Sequence, residues 1–239
     1  MAVDFRRDGV RSSLVWDVLS AVVFARVAAT GRAALDIVDV GGGTGGLAVP
    51  FAALGHNVTV VDPSPDALAA AQRRAAEAGA RLASVQGEAA SLDSLVGPAD
   101  LVICHNVLEY VDEPAEAMSA IARVLRPSAT VSVLASNAVA AVLHRALAGR
   151  FAEARVLLAD AAASTPRRFT LPELTALLEQ AGLHAGEAHG LRIFTGLVPG
   201  ALLDGDAAAT DALRALEAAA ASTPPLRDIA AQLHVLGHR

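Results

Sequence analysis

The chain has 239 residues with a net charge of −6, and 54% of them are hydrophobic while only 3% are aromatic, so it suits one domain with an elaboration and a core of Ala, Val and Leu. All 19 basic residues are Arg, which excludes Schiff-base chemistry, pyridoxal phosphate attachment and a Walker lysine, while the acidity argues against broad nucleic-acid coating and leaves room for a local basic mouth. The one cysteine, Cys104, excludes a disulfide framework, and with no Cys/His cluster at zinc spacing the expectation is a cytoplasmic protein that binds no metal.

The first predicted helix runs from about Ser12 to Ala28, with Val15, Val18, Leu19, Val22 and Val23 on one face. Asp17, Ser20 and Arg26 interrupt this apolar stretch, so it is read as neither a signal peptide nor a membrane span. Strands and helices then alternate: a strand over Leu35–Val40, a glycine loop, a helix to Leu54, a strand over Asn57–Val61, and a helix from Pro65 to Ala78 closed by Gly79. A strand over Arg81–Gln86, a short helix near Ala90–Leu95, a strand over Leu101–Cys104, a helix over Pro114–Leu125 and a strand over Thr130–Ala135 follow. Such alternation implies parallel βαβ units with right-handed crossovers.

After Ser136 the rhythm changes. Asn137 to Ala163 is helical and Ala-rich, and 137–170 is read as a lid inserted over the carboxyl ends of the strands, where open sheets bind ligands. Leu171–Ala181 forms a helix with Thr170 as its cap, Pro172 early in it and Gly182 closing it. His184–Val198 and Gln232–Gly237 could form a final antiparallel pair around an Ala-rich helix near Asp206–Ala221. The expected division is therefore an N-terminal helix over 1–30, a cofactor-binding core over 31–136, the lid over 137–170, and C-terminal helices with a strand pair over 171–239.

The chemistry starts at Asp39-Val40-Gly41-Gly42-Gly43-Thr44-Gly45-Gly46. A buried strand there meets a glycine loop and a helix start, so main-chain N–H groups can approach a polar ligand closely. Asp62, ending the next strand, is placed to accept hydrogen bonds from a ribose diol; its bland alternative is to cap the helix after Pro63. Gly41, Gly43 and Gly46 with Asp62 satisfy a dinucleotide fingerprint, which keeps an NAD-dependent oxidoreductase open. Asp39, Gly41, Gly43 and Gly45 equally satisfy the acidic-x-G-x-G-x-G loop of S-adenosylmethionine (SAM) methyltransferases.

The stretch Asp100–Pro114, with Ile121-Ala122-Arg123-Val124-Leu125-Arg126-Pro127, resembles the fourth strand and following helix of class I SAM methyltransferases. With the glycine loop, Asp62 and Gly87-Glu88-Ala89-Ala90, that resemblance covers residues 35 to 136. It implies a Rossmann-like, mostly parallel seven-stranded sheet with an antiparallel last strand. One departure is Ser128-Ala129, where the family usually carries Gly-Gly. Further pieces, Arg11 with Leu14–Leu19, His105–Glu109, Ser136-Asn137-Ala138, His144, Ala148–Phe151, Gly190–Phe194 and Leu233-His234-Val235, resemble the bacterial tRNA 5-carboxymethoxyuridine methyltransferase family over nearly the whole chain.

That resemblance implies cofactor contacts at Arg11, Gly41, Gly42, Asp62, Ala89, Ala90 and His105, and methyl-ester formation on a wobble-base carboxylate. The family's lysine-rich stretch is reduced here to Pro166-Arg167-Arg168, so the acceptor stays open between a tRNA and a small metabolite. A carboxylate nucleophile needs no general base; an amine or phenol would need one, and His144 or His105 would be first in line. Arg145, Arg150, Arg155, Arg167 and Arg168 outnumber Glu153 and Asp160 in the lid. They form either a solvated face or a receiver for an anion. Arg192, with Arg145, is the expected clamp on an acceptor carboxylate. Cys104 is read as packing. A SAM-binding protein without catalysis is the third class.

Overall fold

The computed structural model describes residues 9–160, 166–198 and 207–239, with side chains from Leu14 onward in the first helix. Its elements are α1 (Gly9–Thr30), β1 (Asp36–Val40), α2 (Ala48–Ala53), β2 (Asn57–Asp62), α3 (Pro65–Glu77), β3 (Ala83–Gln86), α4 (Leu92–Leu95), β4 (Ala99–His105), α5 (Pro114–Val124), β5 (Leu125–Ser136), α6 (Ala138–Leu147), α7 (Phe151–Ala159), α8 (Leu171–Gln180), β6 (His184–Leu191), α9 (Ala207–Ala220) and β7 (Gln232–His238). The seven strands form one sheet in the order β3-β2-β1-β4-β5-β7-β6. The pairs from β3 to β5 are parallel, and the last strands are antiparallel. Thus Ser128 near the start of β5 donates to Arg239 just past the end of β7, at 3.1 Å.

The chain divides into two compact units, one of residues 19–134, 174–187 and 235–239, the other of 1–18, 135–173 and 188–234. In the first, Val and Ile fill β1 and β4, and the β4 residues Ala99 to Cys104 are all buried, as expected of parallel strands covered on both faces. Phe51, Leu101, Ile103, Leu108 and Ile121 are at most 1% exposed and make its core. Ser64 caps α3 by accepting from the Ala67 amide at 3.2 Å, with Pro65 behind it.

A charged cluster locks the amino ends of β1 and β4. Asp100, 1% exposed, accepts from Arg26 at 3.0 and 3.1 Å, from Arg32 at 2.6 Å and from the Asp36 amide at 3.1 Å. Arg126 reaches both Asp100 at 3.3 Å and Asp36 at 2.9 Å. Burial would push Asp36 up, but hydrogen bonds from Asn57 and Arg32 and the charge of Arg126 hold its carboxyl below the ordinary range.

Three expectations shift. The strand expected over Thr130–Ala135 starts at Leu125, with an irregular stretch around Pro127 and Ser128. Ser128, standing where Gly-Gly is usual, adopts φ +59. That left-handed conformation costs a residue with a β-carbon about 1–2 kcal/mol. Ser128→Gly should therefore raise unfolding stability by about 1 kcal/mol in urea titration, and a lower stability would show the strain is absent.

The helical run from Asn137 breaks at Gly149, φ +73, into α6 and α7, which pack on each other. Asn137 both caps α6 and ties it down, accepting from Val139 at 3.0 Å and donating to the carbonyls of Asp228 and Ala230 at 2.8 and 2.7 Å. Residues 161–165 of the expected lid lie outside the described residues, as do 199–206. The strand expected to reach Val198 ends at Leu191, because Arg192 turns the chain at φ +58.

Candidate functional site

Within the first unit a cleft of about 640 Å³ opens at the carboxyl ends of β1 to β4. It is lined by Gly41 after β1, Asp62 and Pro63 after β2, Gly87 to Ala90 after β3, and Asn106, Val107 and the 110–113 turn after β4. This is the end of an open α/β sheet at which ligands bind, beside the strand pair where the order reverses. Its volume suits a nucleoside-sized ligand.

The glycine loop is shaped by close contact. Gly41 sits at φ +65 and donates to the Val61 carbonyl at 2.7 Å; a β-carbon there would lie 2.3 Å from Val107 Cγ2. Gly42 lies against Asp39, whose Cγ would be 2.6 Å from an added β-carbon. Asp62 accepts from the Gly43 amide through Oδ2 and from the Ser64 amide through Oδ1, both at 2.9 Å. It therefore braces the loop from below and lines the cleft, while the helix cap itself is Ser64 rather than Asp62.

Asp39 is wholly enclosed. Burial pushes its carboxyl up to about 7, against a hydrogen bond from the Ala48 amide and with help from the negative charge of Asp62. Cys104 is buried too. Burial, then the charges of Glu109 and Asp39, raise its thiol well above the ordinary range, which makes it packing rather than a nucleophile.

Of the expected contacts, the fold brings Gly41, Asp62, Ala89 and Ala90 to the cleft lining. Gly42 stands one residue behind Gly41, on Asp39. His105 ends β4 with Nε2 2.7 Å from Ser132 Oγ, and Asn106 and Val107 take the cleft positions next to it. Arg11 lies in the first turns of α1, where the side chains are outside the described residues. Arg145 and Arg192 belong to the other unit. There Arg145 lies 3.5 Å from Glu153, which also takes Arg150 at 2.6 Å, so α6 and α7 neutralise part of the charge excess that the sequence suggests. His144 packs against Gly196.

The electrostatics of the cleft were not read from the sequence. Asp62, Glu88, Asp112, Glu113 and Glu116 line it, and no lining residue is basic. The carboxylates come from three separate segments, and only their approach in the fold makes one wall of them. Among the described residues no group of three His, Cys, Asp or Glu could hold a metal ion. None of the described helices is long and apolar enough to cross a membrane.

Residues 37–128, the stretch that carries the cleft, match the family described as methyltransferase domain. This part of the chain resembles a methyltransferase domain. Similarity to curated relatives spreads beyond it. The tRNA 5-carboxymethoxyuridine methyltransferase of Escherichia coli (strain K12) is 30% identical over 148 residues, 59% of this chain and 54% of that protein. The ubiquinone biosynthesis O-methyltransferase of Xylella fastidiosa (strain 9a5c) is 32% identical over 158 residues, 65% of this chain and 63% of that protein. The chain thus spans between about half and two thirds of the length of these relatives, and the alignment with the tRNA enzyme is shorter than the near-full-length spread of matching pieces.

Among solved structures, magnesium protoporphyrin IX methyltransferase from Synechocystis PCC 6803 with bound SAH superposes with a TM-score of 0.62 at 18% identity, over 100% of this chain and 89% of that one. A SAM-dependent methyltransferase from Methanosarcina mazei gives 0.58 at 15% identity, over 87% and 93%. These likenesses are ones of fold alone.

Proposed function

We propose that this protein transfers the methyl group of SAM to a carboxylate, on a tRNA wobble uridine or on a small metabolite. The observation that carries the cofactor half is the cleft wall, five carboxylates with no basic residue among them. SAM brings a cationic sulfonium and an ammonium into that wall, which favours it. A dinucleotide would bring a doubly anionic pyrophosphate, which such a wall repels. Asp62 takes the ribose hydroxyls, the Gly41–Gly43 turn lets the cofactor approach the main chain, and Ala89 and Ala90 flank the base. Residues Arg11 and His105 complete the cofactor contacts.

The sulfonium supplies an already activated methyl. The protein's task is to hold a carboxylate oxygen in line with the carbon–sulfur bond and to keep water away. The carboxylate oxygen forms the new bond to carbon, the electron pair of the old bond leaves with sulfur, and no proton moves. Acceptor recognition falls to Arg192 and Arg145, since a guanidinium can grip a carboxylate through two parallel hydrogen bonds. The chain works in a reducing cytoplasm.

Calorimetric titration with S-adenosylhomocysteine and with NADH tests the cofactor; binding of NADH alone would revive the oxidoreductase. Asp62→Ala should weaken SAM binding by about 1–3 kcal/mol, the scale of hydrogen bonds to a charged acceptor, and an unchanged affinity would remove Asp62 from the ribose. Mass spectrometry of tRNA nucleosides and of small methyl esters from wild-type and deletion strains tests the acceptor. Loss of a wobble-base ester establishes the tRNA, loss of a metabolite ester the small molecule, and loss of neither defeats the carboxylate assignment.

A further inference from the structure

The segment after β6 is built more tightly than its place on the surface requires. Arg192 occupies the left-handed region at φ +58, where glycine is unstrained and a β-carbon is penalised. Its backbone is fixed on both sides. Gly190 donates to the Ala221 carbonyl at 2.7 Å, and a β-carbon on it would lie 2.6 Å from the Arg227 carbonyl oxygen. The carbonyl of Arg192 accepts from the Ala231 amide at 3.3 Å.

Beyond Arg192, three consecutive amides converge on one carboxylate. Ile193, Phe194 and Thr195 donate to Glu217 of α9 at 2.8, 2.9 and 2.7 Å, and the Thr195 hydroxyl adds a fourth bond at 2.7 Å. Glu217 is 3% exposed, so these charge-assisted bonds are shielded from water and are stronger for it. Ile193 is packed in a small core with Ala220 and Ala230.

What all this holds in place is a single exposed side chain. The Arg192 guanidinium has no hydrogen bond or ion pair among the described residues. It borders a hollow of about 50 Å³ that Arg214 also lines. A turn needed only for folding would be easier with glycine at position 192. The strain is tolerated where an unpaired guanidinium has to be presented in one orientation.

We propose that Glu217 is a positioning residue: by gathering the amides of residues 193–195 it fixes the left-handed turn that presents Arg192 to an anionic group of the methyl acceptor. This rests on the assignment of Arg192 as the acceptor's carboxylate clamp. Arg192→Gly separates fold from function, since it relieves the strain and removes an exposed side chain, guanidinium included, that makes no hydrogen bond or ion pair among the described residues. Glu217→Gln keeps the shape but turns one accepting oxygen into a donor, so that at least the Ile193 amide, which donates to Oε2 alone, meets an N–H instead of an acceptor.

The assay supplies methyl-labelled SAM with two acceptor preparations from a strain lacking the protein, its bulk tRNA and its small organic acids. KM is read on whichever incorporates label. Arg192→Gly should melt at or above the wild-type midpoint yet raise the acceptor KM at least tenfold, with kcat and the SAM dissociation constant within about twofold. Glu217→Gln should raise KM similarly with the SAM constant again unchanged.

If Glu217→Gln does not fold, Thr195→Val replaces it; this removes only the hydroxyl's bond and should raise KM about threefold. Label in neither preparation, or an unchanged KM in Arg192→Gly, overturns the carboxylate clamp and with it the role of Glu217. A raised KM in Arg192→Gly beside a wild-type KM in the folded Glu217→Gln, or in Thr195→Val where that replaces it, overturns the role of Glu217 alone.

Discussion

Asp100→Ala should lower unfolding stability by about 3–5 kcal/mol, the range for removing one partner of a buried ion pair. The Asp100 side chain is 0% exposed and that of Arg26 only 15%, so the guanidinium left behind cannot be rehydrated without opening the end of the sheet. The Asp36 amide would lose its acceptor as well. Urea titration measures this: the midpoint should fall with the slope unchanged, since the surface exposed on unfolding stays the same. A loss below 1 kcal/mol would mean that water and the Ser128 carbonyl, which Arg26 already reaches at 3.2 Å, satisfy the guanidinium in its place. Because Asp100 lies at the amino ends of the strands, SAM affinity in the folded fraction should not change.

Asp39→Asn should stabilise the protein at pH 8 and leave it nearly unchanged at pH 4. The folded protein holds the Asp39 proton up to about pH 7, whereas the unfolded chain gives it up near 4. Between those values the native state binds more protons, so stability attributable to this group falls as pH rises and stays low above 7. At roughly 1.4 kcal/mol per pH unit the difference approaches about 4 kcal/mol. Asn keeps an oxygen for the Ala48 amide without carrying the charge.

The comparison must be variant minus wild type at each pH, because another buried group acts in the opposite direction. His234 is held down to about 3 by burial and by the neighbouring His189, with 3.3 Å between their Nδ1 atoms. It costs stability as pH falls below 6.5 toward 3, where the unfolded chain alone takes up the proton. Differential scanning calorimetry at pH 4, 6 and 8 resolves the Asp39 contribution, and a constant difference between the two proteins would assign Asp39 an ordinary acidity.

The alternating core of this fold was legible because each βαβ unit is a local pattern. Val58-Thr59-Val60-Val61 ends in Asp62, Ser64-Pro65 starts a helix, and Gly79 stops it, all within one stretch of chain. What the sequence hid depends on distant residues meeting. Asp100 reads as the residue before an apolar strand, and only the fold brings Arg26, Arg32 and Arg126 onto it. Glu217 reads as one acid on an Ala-rich helix, and its three amide partners lie more than twenty residues away. In the cleft, Gly41 and Asp62 follow from the glycine loop and the strand end after it, whereas Ala89 and Ala90 come only from the family resemblance. Asn106, Val107 and the acidic 112–116 stretch escaped notice because the Asp100–Pro114 segment serves as a family signature without showing which of its side chains turn toward the ligand.

The acid wall of the cleft has a kinetic side. S-adenosylmethionine carries one more positive charge than S-adenosylhomocysteine, so under the proposed reaction each methyl transfer would remove part of the attraction that brings the cofactor in. The spent cofactor would then be less strongly retained, and product inhibition correspondingly relieved. Salt, with a screening length of about 10 Å at 0.1 M, would narrow the gap between the two forms, so turnover in dilute buffer would be less prone to stalling on its own by-product than turnover in brine.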